Sequence, residues 1–484
     1  MEILLRPIPG DVRPESVFVH VMSRRPYAFW LDGNLPAEGL ARWSFLGADP
    51  RFLVEVRDGT TRVVHRDRKE ILDGNPFDAI KDIWNRFRTD GVSYGDIPFI
   101  GGFVGYFGYE MNRYAESVPA GLPDPVGAPD SFWMFADRVL IWDQKLRKAW
   151  LSRILLGGED RKSAERDMER DVEAILRASA RPLPEVPGHS RDDASAEVGM
   201  FAGMETRETY LEKIARIKEH IAAGDIYQAC FTHPFSCVLH ADPFELYRVL
   251  RAVNPAPFSC FLRMGDLAVC SSSPERFLKL GANGLLETRP IKGTRRRSGD
   301  EAEDRARAEE LRASVKDRAE NVMIVDLARH DLGKVSASGS VIVPELFRIE
   351  SYATVHQLVS VVEGKLAEGV HPVDAIRASF PGGSMTGAPK IRAMEILHEL
   401  ETVKRGIYSG GLGYLDVRGN FDLSMVIRTV VCREDRAWFH VGGGIVADSD
   451  PDDEYRESLD KAAALKRAIL LCNRRASSIP ENPA

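Results

Sequence analysis

The chain has 484 residues, more than one small core organises, so two domains or one large composite body is expected. Lys and Arg total 65 against 72 Asp and Glu, a formal charge of −7, which gives no drive toward nucleic acid or an anionic membrane. The opening MEILLRPIPGDVRP lacks a signal-peptide core and no stretch reaches the roughly 20 apolar residues that span a bilayer, so a cytoplasmic protein without membrane association is expected.

In chain order, the first 180 residues carry strand-like runs (RFLVEVRDG, SFWMFADRVLIWD, KAWLSRILL), a helix near Pro76 to Thr89 and a charged helix from Asp160 to Ser179. Residues 181–203 open on RPLPEVPGHSRDDASAEVG, rich in Pro, Gly, Ser and acid without an apolar period, and read as a linker. A capping-box signature at Thr209 and Glu212 then opens a helix whose apolar face is Tyr210, Ile214, Ile217 and Ile221, with Gly224 as its stop. Strand runs such as LAVCSSS, RFLKLG, LSMVIRTVVCR and AWFHVGGGIVA follow, interrupted by charged helices at about 301–312 and 315–332. Strands and helices without a regular βαβ alternation predict an α+β fold, with a catalytic region over 204–473 and a flexible tail over 474–484. The six cysteines form no CxxC and read as small buried residues in a reducing compartment.

Several clusters carry chemistry. Glu275, in SSSPERF, suits general acid or base work where it faces a pocket. Lys292 lies just before Gly293 and Thr294; a buried lysine losing its proton becomes a nucleophile, and the glycine admits a ligand close to the backbone. Arg295 to Arg297 fit an anion site or a solvated basic turn equally. In DSDPDDEYRESLDK, Pro451 starts a helix on which Glu454, Glu457 and Lys461 share one face. A carboxylate from there, brought together with Glu320 of KDRAENVMIVDLARHD, suits Mg²⁺, which takes one or two protein carboxylates and keeps its waters. FPGGSMTGAPK lacks the Lys-Ser/Thr of a phosphate loop, so no nucleotide is expected, although its amides suit a carboxylate. Gly442, Gly443 and Gly444 permit close backbone approach.

Taken together and in this order, GDIYQACFTH, SSSPERF, RPIKGT, RAENVMIVDLARHDLG, PGGSMTGAPKIRAMEI, YSGGLGYL, VIRTVV and GGGIVADSDPDDEYRE resemble the chorismate-utilising enzymes. The N-terminal part, in RWSFLGADP and GGFVGYFGYE, resembles the companion domain of the anthranilate and aminodeoxychorismate branches. The resemblance implies an anthranilate-synthase component I-like fold of packed antiparallel sheets surrounded by helices. It further implies Mg²⁺ held by Glu320 and Glu457 with Glu454 nearby. The substrate's two carboxylates would fall to Gly293, Thr294, Tyr408, Arg428, the Gly442 to Gly444 amides and Lys461.

Three positions point to the aminodeoxychorismate branch and to 4-aminobenzoate and folate synthesis. That branch has Lys where the others have Ala in PIxGT, and this chain has Lys292. Gln228 stands where the isochorismate and salicylate enzymes place a water-activating Lys. Gln357 stands where anthranilate synthases place a His for pyruvate release, with His356 one residue earlier. Lys292 is then the covalent nucleophile toward chorismate and Glu275 the acid. Ammonia is supplied by a separate glutamine amidotransferase subunit, because no GxCxG nucleophile motif is visible. Anthranilate synthase component I is the alternative. FWLDG departs from the LLES with which anthranilate synthases bind tryptophan, so tryptophan control is not expected, and His330, where the family often has Asn, is not expected to be a ligand.

Overall fold

The computed structural model describes residues 1–35, 40–89, 94–186, 201–352 and 355–478. Two twelve-stranded antiparallel sheets dominate these residues. With helices packed around them, the fold is α+β with packed antiparallel sheets, as expected. The first sheet runs from Glu2–Ile8 at one edge, through Tyr27–Asp32, Phe258–Met264 and Leu267–Ser273, to Arg436–Ile445 and Gln228–Val238. The second runs from Ile291–Arg296 and Val355–Lys365, through Arg276–Leu280, Phe421–Met425 and Gly411–Asp416, to Gly102–Phe107 and the hairpins of the first 72 residues.

The parts before and after the expected linker share both sheets. In the first sheet Leu31 pairs with Cys260, and in the second Gly105 pairs with Gly413. Side chains alternate across the first sheet as a period of two requires. Phe29, Leu262 and Val269 join the large core with the second sheet, whereas Trp30, Phe261 and Cys270 join a second core. The helices Arg161–Ser179, Pro243–Val253 and Pro451–Ser478 contribute Met168, Leu246 and Leu465 to that second core. All six cysteines are buried and free.

Three sequence expectations change. SFWMFADRVLIWD is two strands, Ser131–Ala136 in the second sheet and Arg138–Asp143 in the first. Between them Asp137 is buried and paired with Arg153 at 3.4 Å, which holds a carboxylate where the chain crosses over. The helix Arg207–Ala222 is capped one turn earlier than expected: Thr206, in extended backbone, accepts from the Thr209 amide, and Tyr210, Ile214 and Ile217 are then fully buried. The last helix continues through Ser478, so the expected tail from 474 is helical at its start. Of the expected linker, 187–200 lie outside the described residues, as do 479–484 of the tail. Among the described residues, no helix is long and apolar enough to cross a membrane.

Candidate functional site

Lys292 lies in the strand Ile291–Arg296, where the pairing with Val355–Lys365 slips between Ile291↔Val359 and Thr294↔Gln357. Gly293, at φ +81°, makes this slip. A Cβ there would stand 2.8 Å from Asp317 and from Leu311, so the position requires glycine both conformationally and sterically. The Lys292 side chain is 13 % exposed, and its Nζ lies 3.9 Å from Glu320 Oε2. Across the site, a Cβ built on Gly444 would fall 2.9 Å from Lys292 Nζ and 2.6 Å from Gln228 Nε2. The amine therefore rests against the glycine run of the strand Arg436–Ile445.

Glu275 sits in the Ser-Pro-Glu crossover from Leu267–Ser273 in the first sheet to Arg276–Leu280 in the second. Its amide donates to Ser273 Oγ at 3.3 Å, that hydroxyl donates to the Met425 carbonyl at 2.6 Å, and the Glu275 carbonyl accepts from the Met425 amide at 3.0 Å. Burial pushes the Glu275 carboxyl up to about 7, against the Ser384 hydroxyl, the Lys292 charge and the Ile291 backbone, which favour the ionised form. Such a group exchanges a proton near neutral pH.

Two helices bring the remaining carboxylates. Val315–Gly333, capped by Ser314, presents Glu320; Pro451–Ser478 presents Glu454, Glu457 and Lys461. Burial raises the proton affinity of Glu320, opposed by Lys292 and Lys316 and reinforced by Asp317 and Glu457. Lys461, 2.7 Å from Glu457, holds that carboxyl below its ordinary range. Glu454 is buried and accepts from Ser449 Oγ at 2.6 Å. These groups converge on Gly443, whose Cβ would lie 3.0 Å from Glu454 Oε2, 3.6 Å from Lys461 Nζ and 3.9 Å from Glu457 Oε1. Lys461 Nζ donates to the Gly442 carbonyl at 2.7 Å.

The glycine run pairs with one neighbour, as Gly442↔Thr232, Gly443↔Phe231 and Gly444↔Cys230. Pairing on its other side ends at Trp438, so alternate backbone groups of Gly442 to Gly444 face away from the ladder. Arg428 has φ +52°, a left-handed conformation that a non-glycine residue adopts at some cost, and its Nη1 donates to the Lys461 carbonyl at 2.8 Å. Burial lowers its proton affinity, while Tyr408 and Glu457 oppose. Tyr408 is buried with its ring stacked on His440 at 5.3 Å, and burial pushes its hydroxyl up.

The structure thus gathers Glu275, Lys292, Gly293, Glu320, Tyr408, Arg428, Gly442 to Gly444, Glu454, Glu457 and Lys461 around one region. Thr294 is at its margin and exposed. His330 is exposed on the last turn of its helix. His356 faces away: its ring nitrogens lie 2.8 Å from Ser351 Oγ and 3.0 Å from Asp304 Oδ1, and Gln357, the next residue, points to the other face of the strand.

Two residues were missed. Lys316 faces Glu320, Glu454 and Glu457 electrostatically, and its signal was present, since it stands four residues before Glu320 on one helix face. Ser384, in the glycine-rich loop, meets a carboxylate as that loop's chemistry suggested, but the protein's own, Glu275. Gln228 is fully buried and neither amide atom has a hydrogen-bond partner, which leaves a donor and an acceptor for a ligand beside Lys292.

Among the described residues no three carboxylate, imidazole or thiol groups converge on one point. Glu320, 16 % exposed, and Glu457, 55 % exposed, nonetheless sense each other's charge, and two solvent-accessible carboxylates fit Mg²⁺, which completes its shell with water. A cavity of about 900 Å³ lies elsewhere, between the sheets at Asp32, Trp43, Phe258, Arg276 and Tyr414.

The family model for chorismate binding enzymes matches residues 49–467. An aminodeoxychorismate synthase of Streptomyces pristinaespiralis is 41% identical over 94% of this chain, which spans 64% of that protein's length, less than two thirds. Anthranilate synthase component 1 of Synechocystis sp. is 40% identical over 94% of this chain and 93% of its own length. Among solved structures, anthranilate synthase component I of Streptococcus pneumoniae superposes with a TM-score of 0.76 at 30% identity, covering 88% of this chain and 92% of that one.

Proposed function

Because this chain belongs to the chorismate binding enzyme family, we propose that it aminates chorismate to 4-amino-4-deoxychorismate, on the route to 4-aminobenzoate and folate. The observation that carries this reading is the placement of the Lys292 amine against Gly444, within reach of Glu320 and in the field of a Glu275 carboxyl poised near neutral pH.

In this reading Arg428, Tyr408, Lys461 and the Gly442 to Gly444 amides grip the substrate's carboxylates, the guanidinium in two places at once. Mg²⁺ on Glu320 and Glu457, with Glu454 nearby, would supply a positive anchor for the ring carboxylate. The Lys292 Nζ lone pair forms a bond to C2 as the C4–O bond breaks, and Glu275 gives its proton so that the hydroxyl leaves as water. Ammonia then forms a bond to C4, and the C2–N bond breaks, returning the electron pair to Lys292. The new ammonium passes a proton back to the Glu275 carboxylate. Splitting one displacement into two allylic steps is nucleophilic catalysis. Gln228 offers no base to activate water, and Gln357 no proton for pyruvate loss; His356, engaged by Ser351 and Asp304, does not replace it. Ammonia comes from a glutamine amidotransferase on a separate chain.

Anthranilate formation is the second reading, favoured by the Synechocystis relative matched over 93% of its length. Incubation with chorismate, Mg²⁺ and ammonium salt separates the two. An amine that a lyase converts to 4-aminobenzoate is expected; blue fluorescence with stoichiometric pyruvate would establish the second reading instead.

A further inference from the structure

We infer that Arg405, which touches none of the candidate ligand groups, is the positioning residue from which three walls of the site hang. Its side chain is 1% exposed, and its guanidinium stands 4.4 Å from the Tyr109 ring. Nε donates to Glu401 Oε2 at 2.9 Å. Nη1 donates to the Met385 carbonyl at 2.6 Å and to Ser409 Oγ at 3.3 Å. Nη2 donates to the Cys230 carbonyl at 2.8 Å and to Glu401 Oε1 at 2.6 Å.

Each of these bonds ends one residue or one strand from a candidate site group. Met385 follows Ser384, the hydroxyl on Glu275. Ser409, itself at φ +67°, follows Tyr408. Cys230 is the cross-strand partner of Gly444 and lies two residues beyond Gln228. The counter-ion extends the arrangement: Glu401 accepts from Thr232 Oγ1 at 2.9 Å, and Thr232 is the cross-strand partner of Gly442. The Arg405 amide donates to Glu110 Oε1 at 3.0 Å, which ties the same residue to the N-terminal part.

A lysine could neutralise Glu401 but could not reach three segments in a plane, because only the guanidinium fork spreads its donors that way. A buried ion pair is a poor way to gain stability, since apolar residues of similar volume often replace one without loss. This geometry therefore points to placement of the walls. The inference rests on this constellation being the chorismate site and not on which product leaves it.

The test follows chorismate consumption in the presence of Mg²⁺ and ammonium salt, beside thermal unfolding. The double variant Glu401→Met/Arg405→Met is expected to unfold within about 5 °C of wild type. Its kcat is expected to fall about 100-fold, as a misplacement of about 1 Å costs, with a raised KM for chorismate. Arg405→Lys is expected to fold with kcat still at least ~10-fold down. Folded variants with wild-type kcat and KM would overturn the inference, and so would failure of both to fold, which would make the role structural. An error in the amination reading would show in the wild-type product, and an error here only in the variants.

Discussion

Ser384→Ala isolates the balance that sets the Glu275 carboxyl. Burial holds that carboxyl at about 7, and the Ser384 hydroxyl is the first of three groups pulling it down. A hydrogen bond to a charged group contributes about 1.5–3 kcal/mol, and about 1.4 kcal/mol corresponds to one pH unit. Part of the loss is recovered by water or by rotation of the neighbouring loop. The Ser384→Ala carboxyl is therefore expected to titrate about one pH unit higher. An acid must be protonated to work, so activity is lost as pH rises through this titration, and the descending limb of kcat/KM should move from about 7 toward about 8. The assay is chorismate consumption from pH 5 to 10 at saturating Mg²⁺ and a fixed concentration of free ammonia. A limb that stays in place or moves to lower pH would refute the assignment of Ser384 and Glu275 to one titrating unit.

Glu275→Gln should abolish turnover yet stabilise the fold in base. The folded carboxyl binds its proton more tightly than the unfolded one, so wild-type stability declines between about 4.5 and 7 as the unfolded state alone ionises. Thermal unfolding at pH 8 should favour Glu275→Gln by about 3 kcal/mol at most, with the gap closing toward pH 4.5. Two glycines of the same run, Gly442 and Gly444, should behave oppositely. At Gly442 a Cβ would stand 2.0 Å from the Phe231 carbonyl, so Gly442→Ala should weaken the sheet itself, read as a lowered midpoint in urea. At Gly444 the obstructed atoms are the ends of Gln228 and Lys292, so Gly444→Ala should fold normally and lose turnover.

The parts of the site that were legible in the sequence are those in which one segment carries its own chemistry. Glu454, Glu457 and Lys461 share a helix face by spacing alone, and Pro451 announces where that helix starts. Lys316 was equally accessible at four residues before Glu320. Ser384 was not, because nothing local indicates that the loop 382–386 folds onto Glu275, more than a hundred residues earlier. The Glu401–Arg405 pair has the spacing of an ordinary exposed helix pair, and only the packing of Tyr109 and Cys230 over it reveals a buried charge. The same limit applies to the fold. The alternation that buries Phe29 on one face and Trp30 on the other follows from local pattern, whereas the switch of sheets at Asp137, where Arg153 of the neighbouring hairpin strand pairs with the carboxylate, is not marked in the run SFWMFADRVLIWD. The sharing of both sheets by the two halves of the chain is likewise set by long-range pairing such as Leu31 with Cys260.

The central claim concerns the Lys292 amine, and mass spectrometry of the intact enzyme tests it most directly. The enzyme, incubated with chorismate and Mg²⁺ but no ammonia and then quenched, should gain the mass of chorismate less one water, with digestion placing the addition on the peptide that holds Lys292. Absence of that adduct, together with a Lys292→Ala enzyme that aminates chorismate at the wild-type rate, would contradict it.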